Sequence, residues 1–168
     1  MLSKIFEALY LKVLINIVVK HSSTLVYIQL HSKKGAIESV HEEFNTTILD
    51  EAMFEFINTY IKESPYYYVS VLDTSAGQGA IPTCSKNRLS YYCDLSNSEY
   101  KCYDEKWTYY TPKTELYAME KIYKKIGIDF IFSPFVVLAN FFKDKIDTHL
   151  AMFILIEDGA LVVSVFHN

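Results

Sequence analysis

The chain has 168 residues, enough for one domain, or two small intertwined ones, with a real core. An apolar share of 51% against 21% charged residues excludes a disordered tail, and a formal net charge of −4 argues against a general nucleic-acid binder, which carries a basic stripe. Cys84, Cys93 and Cys102 are odd in number and too widely spaced for a zinc knuckle, so they are expected as buried or incidental thiols. His21, His31 and His41 fall on what reads as a β-meander and need not converge; no metal site and no cofactor are expected.

The first segment, MLSKIFEALYLKVLINIVVKH, is apolar but interrupted by Lys4, Glu7, Lys12 and Asn16. A spanning helix needs about 20 apolar residues, and no small-residue cleavage pattern follows. It reads as a short amphipathic helix over 3–10, with Ile5, Phe6 and Leu9 on one side, leading into a strand; the cytoplasm is the default location. Lys12 to Val19 and Thr24 to His31 are rich in β-branched residues and read as strands. After the Lys33-Lys34-Gly35 turn, Ala36 to Phe44 completes a meander.

The period then changes. Leu49, Met53, Phe56, Ile57 and Tyr60 recur at helical spacing, with Asn45-Thr46-Thr47 as candidate capping groups and Ser64-Pro65 as the stop. Tyr66 to Leu72 is a β-prone run closed by the loop Asp73-Thr74-Ser75-Ala76-Gly77-Gln78-Gly79. That loop lacks the Gly-Lys-Ser/Thr ending of a phosphate-binding P-loop and reads as a surface loop. Residues 80–106 hold all three cysteines and little periodicity, so an irregular insertion is expected. Trp107 to Tyr110 reads as a strand and Pro112 as a helix start. Thr114 to Ile126 is a helix with the stripe Leu116, Met119, Ile122, Tyr123 and Ile126, stopped at Gly127. A short strand over 129–133, a helix from Pro134 to Phe142, and a hairpin of Leu150 to Ile156 and Leu161 to Phe166 finish the chain.

This order of elements resembles the first half of the actin-like fold in bacterial PilM, GspL and FtsA-type proteins. The resemblance is carried most by residues 109–166: Pro112, Gly127-Ile128, Ser133-Pro134, Leu138-Ala139 and Asp158-Gly159 stand where that family has its turn, step, helix and hairpin signals. It implies an α/β, actin-like (ribonuclease H-like) mixed sheet with flanking helices, ordered 3-2-1-4-5. The core would be residues 1–79 and 107–168, with 80–106 as the inserted subdomain. In actin-like ATPases a D-x-G-type turn between the first two strands holds phosphates, and an acid there positions Mg²⁺. Here that turn is Val19-Lys20-His21-Ser22-Ser23, with neither Asp nor Gly. Asp158 and Gly159 keep the acid and glycine of the second phosphate turn and are the weak cofactor-binding candidates, although an Asp-Gly pair is also a common hairpin turn.

No nucleophile–base arrangement is legible; Ser75, Cys84 and His41 have no spacing that supports one, and no catalytic residue is assigned. The aromatic residues Tyr66, Tyr68, Tyr91, Tyr92 and Trp107 are the candidates for a partner surface, because Tyr and Trp concentrate at interface hot spots. The resemblance implies a non-enzymatic scaffold at the cytoplasmic side of the inner membrane, bound to the cytoplasmic segment of a membrane-anchored assembly protein. A homo-oligomer or ring suits that role, and no nucleic-acid partner is expected. The alternatives are an ATP-binding actin-like protein whose second half lies elsewhere, and an unrelated small α/β enzyme.

Overall fold

A computed structural model describes residues 10–142, 150–157 and 160–167. The helix expected over 3–10 lies outside them apart from Tyr10, as does the Asp158-Gly159 turn. Among the described residues, one compact unit takes those up to Leu72 together with Glu120–Ile131. The other takes Asp73–Met119 and those from Phe132 onward. Among the described residues no helix is long and apolar enough to cross a membrane.

The first unit is built on a five-stranded mixed sheet. β1 (Lys12–Val19), β2 (Thr24–Ser32) and β3 (Gly35–Phe44) form the antiparallel meander. α1 (Glu51–Ile61) follows, and β4 (Tyr66–Leu72) then pairs in parallel with β1. With β8 (Phe130–Phe132) the order is β3-β2-β1-β4-β8, which is the actin-like 3-2-1-4-5 arrangement with β8 as the fifth core strand. Alternation along the strands sends Val13, Ile15, Ile17, Val26, Ile28, Val69 and Val71 into one core, which Met53 and Ile57 of α1 join as its fully buried residues. On the other face of the sheet Asn16 and Ser70 are register partners, and the Ser70 hydroxyl donates to Asn16 Oδ1 at 2.7 Å.

Local signals account for most boundaries. The cap of α1 is Asp50, whose Oδ1 accepts from the Met53 N–H at 2.9 Å, not the Asn45-Thr46-Thr47 run expected from sequence. Asp50 stands three residues before Met53, the spacing a capping carboxylate needs. The next long helix, α3 (Lys113–Ile122), starts one residue after Pro112, which instead ends β7 (Trp107–Pro112). α3 is also shorter than its stripe. Tyr123 and Ile126 are buried beyond its last turn, and Gly127, at φ 75°, stops the chain there as expected.

In the second unit, residues 80–106 are more regular than their sequence suggests. β5 (Gly79–Ile81), a single helical turn α2 (Lys86–Leu89) and β6 (Ser98–Tyr103) precede β7, and the strands form a sheet in the order β5-β7-β6. Cys84 and Cys102, expected as thiols, are joined in a disulfide with their Cα atoms 5.3 Å apart; Cys93 stays free. Pairing both β5, which Cys84 follows, and β6, which holds Cys102, with β7 brings the two cysteines together across a separation of 18 residues, which no local spacing rule reports. Two Gly positions are enforced by packing: a Cβ on Gly77 would meet Pro112 Cγ at 2.6 Å, and one on Gly79 would meet the Tyr110 ring. Beyond these lie α4 (Pro134–Phe142) and the antiparallel hairpin β9 (Leu150–Glu157) and β10 (Ala160–His167).

Two measurements check this account. Burial pushes the Tyr123 phenol up to about 12, with the Thr24 hydroxyl opposing the shift. An unfolded tyrosine ionises near 10, so the stabilisation is full below about pH 10 and is lost as the pH climbs from about 10 to about 12. Thermal denaturation over that window should show a steeper alkaline loss for the native chain than for Tyr123→Phe. For the disulfide, closing a loop of this length is worth about 3 kcal/mol, so reductant should lower the urea midpoint of the isolated chain and leave that of Cys84→Ser unmoved.

Candidate functional site

Two polar clusters mark places where an actin-like protein could do chemistry; most of their side chains are spent on one another, while the Ser75 hydroxyl of the second is buried without a partner among the described residues. The first is the β1–β2 turn. Lys20 N–H donates to Ser23 C=O at 2.8 Å, closing the turn. Glu43 reaches it from the end of β3, accepting from the Ser23 hydroxyl at 2.7 Å and from Lys20 Nζ at 3.2 Å. Hydrogen bonds from Ser23 and then Lys20, with the Lys20 charge, hold the Glu43 carboxyl below the usual glutamate range, so an anion sits at this turn at neutral pH. A carboxylate here takes up the cation and the hydroxyl that a phosphate would need, and repels the phosphate as well.

The second cluster follows β4. Asp73 is only 3% exposed. Its Oδ1 accepts from the Ser75 N–H at 2.9 Å, the Asx turn that Asp-x-Ser favours, and its Oδ2 accepts from the Thr111 hydroxyl of β7 at 2.8 Å. Gln78 Nε2 donates to the Asp73 and Ser75 carbonyls at 2.6 and 3.1 Å, while its Oε1 accepts from the Ser133 hydroxyl at 2.7 Å. The loop read from sequence as a plain surface loop is thus anchored inward by a buried carboxylate. It enters β5 and not a helix, and it meets the start of α4 through Ser133, the residue before Pro134. Thr111, Gln78 and Ser133 had no signal of their own; the Asp-Thr-Ser sequence at a strand end was the one legible hint.

The aromatic candidates separate. Tyr66 and Tyr68 are half-buried in the first unit, against Tyr10 at 5.6 Å and Phe130 at 6.4 Å between ring centres. Trp107 is half-buried in the second unit between Tyr103 at 5.1 Å and Tyr109 at 6.0 Å. Tyr91 and Tyr92 stand free on the surface just after α2, at 86% and 64% exposure. Asp158 and Gly159 lie outside the described residues. Of the weighed triad, Cys84 is consumed by its disulfide and His41 stacks on Tyr27 at 6.0 Å. Among the described residues, no three His, Cys, Asp or Glu side chains gather as a metal-binding set.

Residues 10–139 match the family model described as Domain of unknown function (DUF8569). The chain belongs to the DUF8569 family. No curated protein matches the sequence. Among solved structures, this DUF8569 chain is similar to a Bacteroides thetaiotaomicron protein "with actin-like ATPase fold and unknown function", with a TM-score of 0.55 at 15% identity. The likeness covers 92% of this chain and 65% of that one, so the chain spans less than two thirds of the Bacteroides protein's length. It shows the fold. An Aquifex aeolicus PPX-GPPA enzyme overlays at a TM-score of 0.35 with 9% identity, covering 93% of this chain and 52% of that one, too distant to carry an inference.

If the Asp73 carboxylate is a structural anchor, Asp73→Ala leaves Thr111 and the loop amide without their acceptor and should cost about 1–3 kcal/mol. Urea denaturation of Asp73→Ala and Thr111→Val would show it, and midpoints equal to the native chain's would contradict that role.

Proposed function

We propose that this chain is a non-enzymatic actin-like scaffold of a bacterial envelope machine, of the kind that serves type IV pili, type II secretion, competence or the flagellar motor. It acts by holding the cytoplasmic segment of a membrane-anchored assembly protein. The observation that carries the reading is the closed β1–β2 turn, where Glu43, Ser23 and Lys20 satisfy one another at the position an actin-like ATPase gives to phosphate. The actin-like order of the sheet supports it, and the resemblance of residues 109–166 to PilM and GspL supplies the class of partner. Exposed Tyr91 and Tyr92 offer the aromatic anchors that such a contact favours.

A second reading is an ATP-binding protein whose remaining half lies outside this sequence, and the 65% share of the Bacteroides chain favours it. The two differ in what nucleotide does to stability. A ligand that binds only the native state raises the unfolding midpoint, by about 2.7 kcal/mol of stability at a hundredfold excess over Kd. The scaffold reading predicts no change in the thermal midpoint with millimolar Mg-ATP, and a saturable rise overturns it. Location has its own test, because a disulfide is at home in an oxidising compartment and not in the cytoplasm. Alkylation of thiols in living cells should find Cys84 and Cys102 reduced; a bridge already formed there overturns the cytoplasmic placement.

A further inference from the structure

The hairpin β9–β10 is apolar on both of its faces. Ala151, Phe153, Leu155 and Val162 alternate on one face and are half-buried, with Ser164 buried among them; the Phe153 ring stacks on Phe142 of α4 at 4.0 Å. The opposite face carries Met152, Ile154 and Ile156 of β9 and Leu161, Val163 and Val165 of β10. The register sets these as three cross-strand pairs, Met152 with Val165, Ile154 with Val163, and Ile156 with Leu161. All six are 47–75% exposed. An antiparallel sheet with one solvated face puts polar residues there, and a sheet apolar on both faces is one that is covered on both.

We infer that this open face is an interface between two copies of the chain, which pack hairpin on hairpin about a two-fold axis. The six side chains present roughly 700 Å² of aliphatic surface, above the 300–600 Å² of the largest patch on a typical monomer and close to the roughly 800 Å² that each partner gives a standard interface. Nothing in the patch is charged and nothing donates or accepts a hydrogen bond, so it has no means of selecting a polar or charged partner. An isologous contact asks only that one surface complement itself, and a ribbon of Val, Ile, Leu and Met does so by interdigitation at the roughly 10 Å spacing of stacked sheets. A lipid surface is the weaker fit, because the chain carries a net charge of −4 and interfacial binding draws on attraction of basic residues to anionic headgroups. The inference uses no part of the β1–β2 turn and stands or falls apart from the scaffold reading.

Light scattering coupled to size-exclusion chromatography of the whole chain tests it. The native chain should elute at twice the chain mass at concentrations of about 10–100 μM, the range in which an interface of this size holds. Ile154→Lys should elute as a monomer with the native far-ultraviolet circular dichroism, because its side chain is largely exposed within one copy. Should that variant misfold, Ile156→Ser removes a more peripheral contact and should weaken the dimer roughly tenfold. A native chain that is monomeric across the range overturns the inference, whether or not vesicles or another polypeptide bind the face. So does a dimer that both variants leave intact.

Discussion

The parallel pairing of β1 with β4 is the constraint on which the first unit depends. Seven residues of each strand, Lys12–Val18 and Tyr66–Leu72, stand in register. Parallel strands cannot be joined by a tight turn, so the chain must make a crossover, and the meander with α1 supplies it. β1 then has a neighbour on each side, which is why its Val13, Ile15 and Ile17 are among the fully buried aliphatics. The Asn16–Ser70 hydrogen bond fixes the register from the other face: a slip by one residue would turn Asn16 into the aliphatic core and Ile15 out of it.

Much of this was legible because the local pattern and the tertiary environment agree. β4 has the bounds read from its Tyr-Tyr-Tyr-Val-Ser-Val-Leu run, and α4 runs from Pro134 to Phe142 as its Pro start and apolar length predict. The failures have a common physical character. Asp73 meets Thr111 across 38 residues, Lys20 meets Glu43 across 23, and Cys84 meets Cys102 across 18; each contact exists only once strands are paired. An odd cysteine count does not prevent one pair from forming and leaving Cys93 over. The cap at Asp50 was missed for a different reason. Asn45-Thr46-Thr47 contains capping residue types, but it lies directly after β3, with Ile48 and Leu49 still between it and the Asp50 cap, too far from the first helical N–H groups to reach them.

The actin-like fold is commonly a frame for a nucleotide, and here the two acids of the polar clusters are engaged by neighbouring side chains. Glu43 satisfies the first turn, and Asp73 satisfies the loop after β4. Both arrangements lower the energy of the folded chain, and both leave fewer donors for a phosphate. The surface differs, with exposed tyrosines after α2 and an exposed aliphatic face on the hairpin.

The central claim is that the β1–β2 turn is closed to phosphate by Glu43. Its most direct test is to follow the backbone amide resonances of Lys20 to Ser23 in isotope-labelled chain while Mg-ATP is added. The account predicts that these resonances stay in place at millimolar nucleotide. Saturable movement of the Lys20 to Ser23 amides, with the Glu43 carboxylate still present, would contradict it.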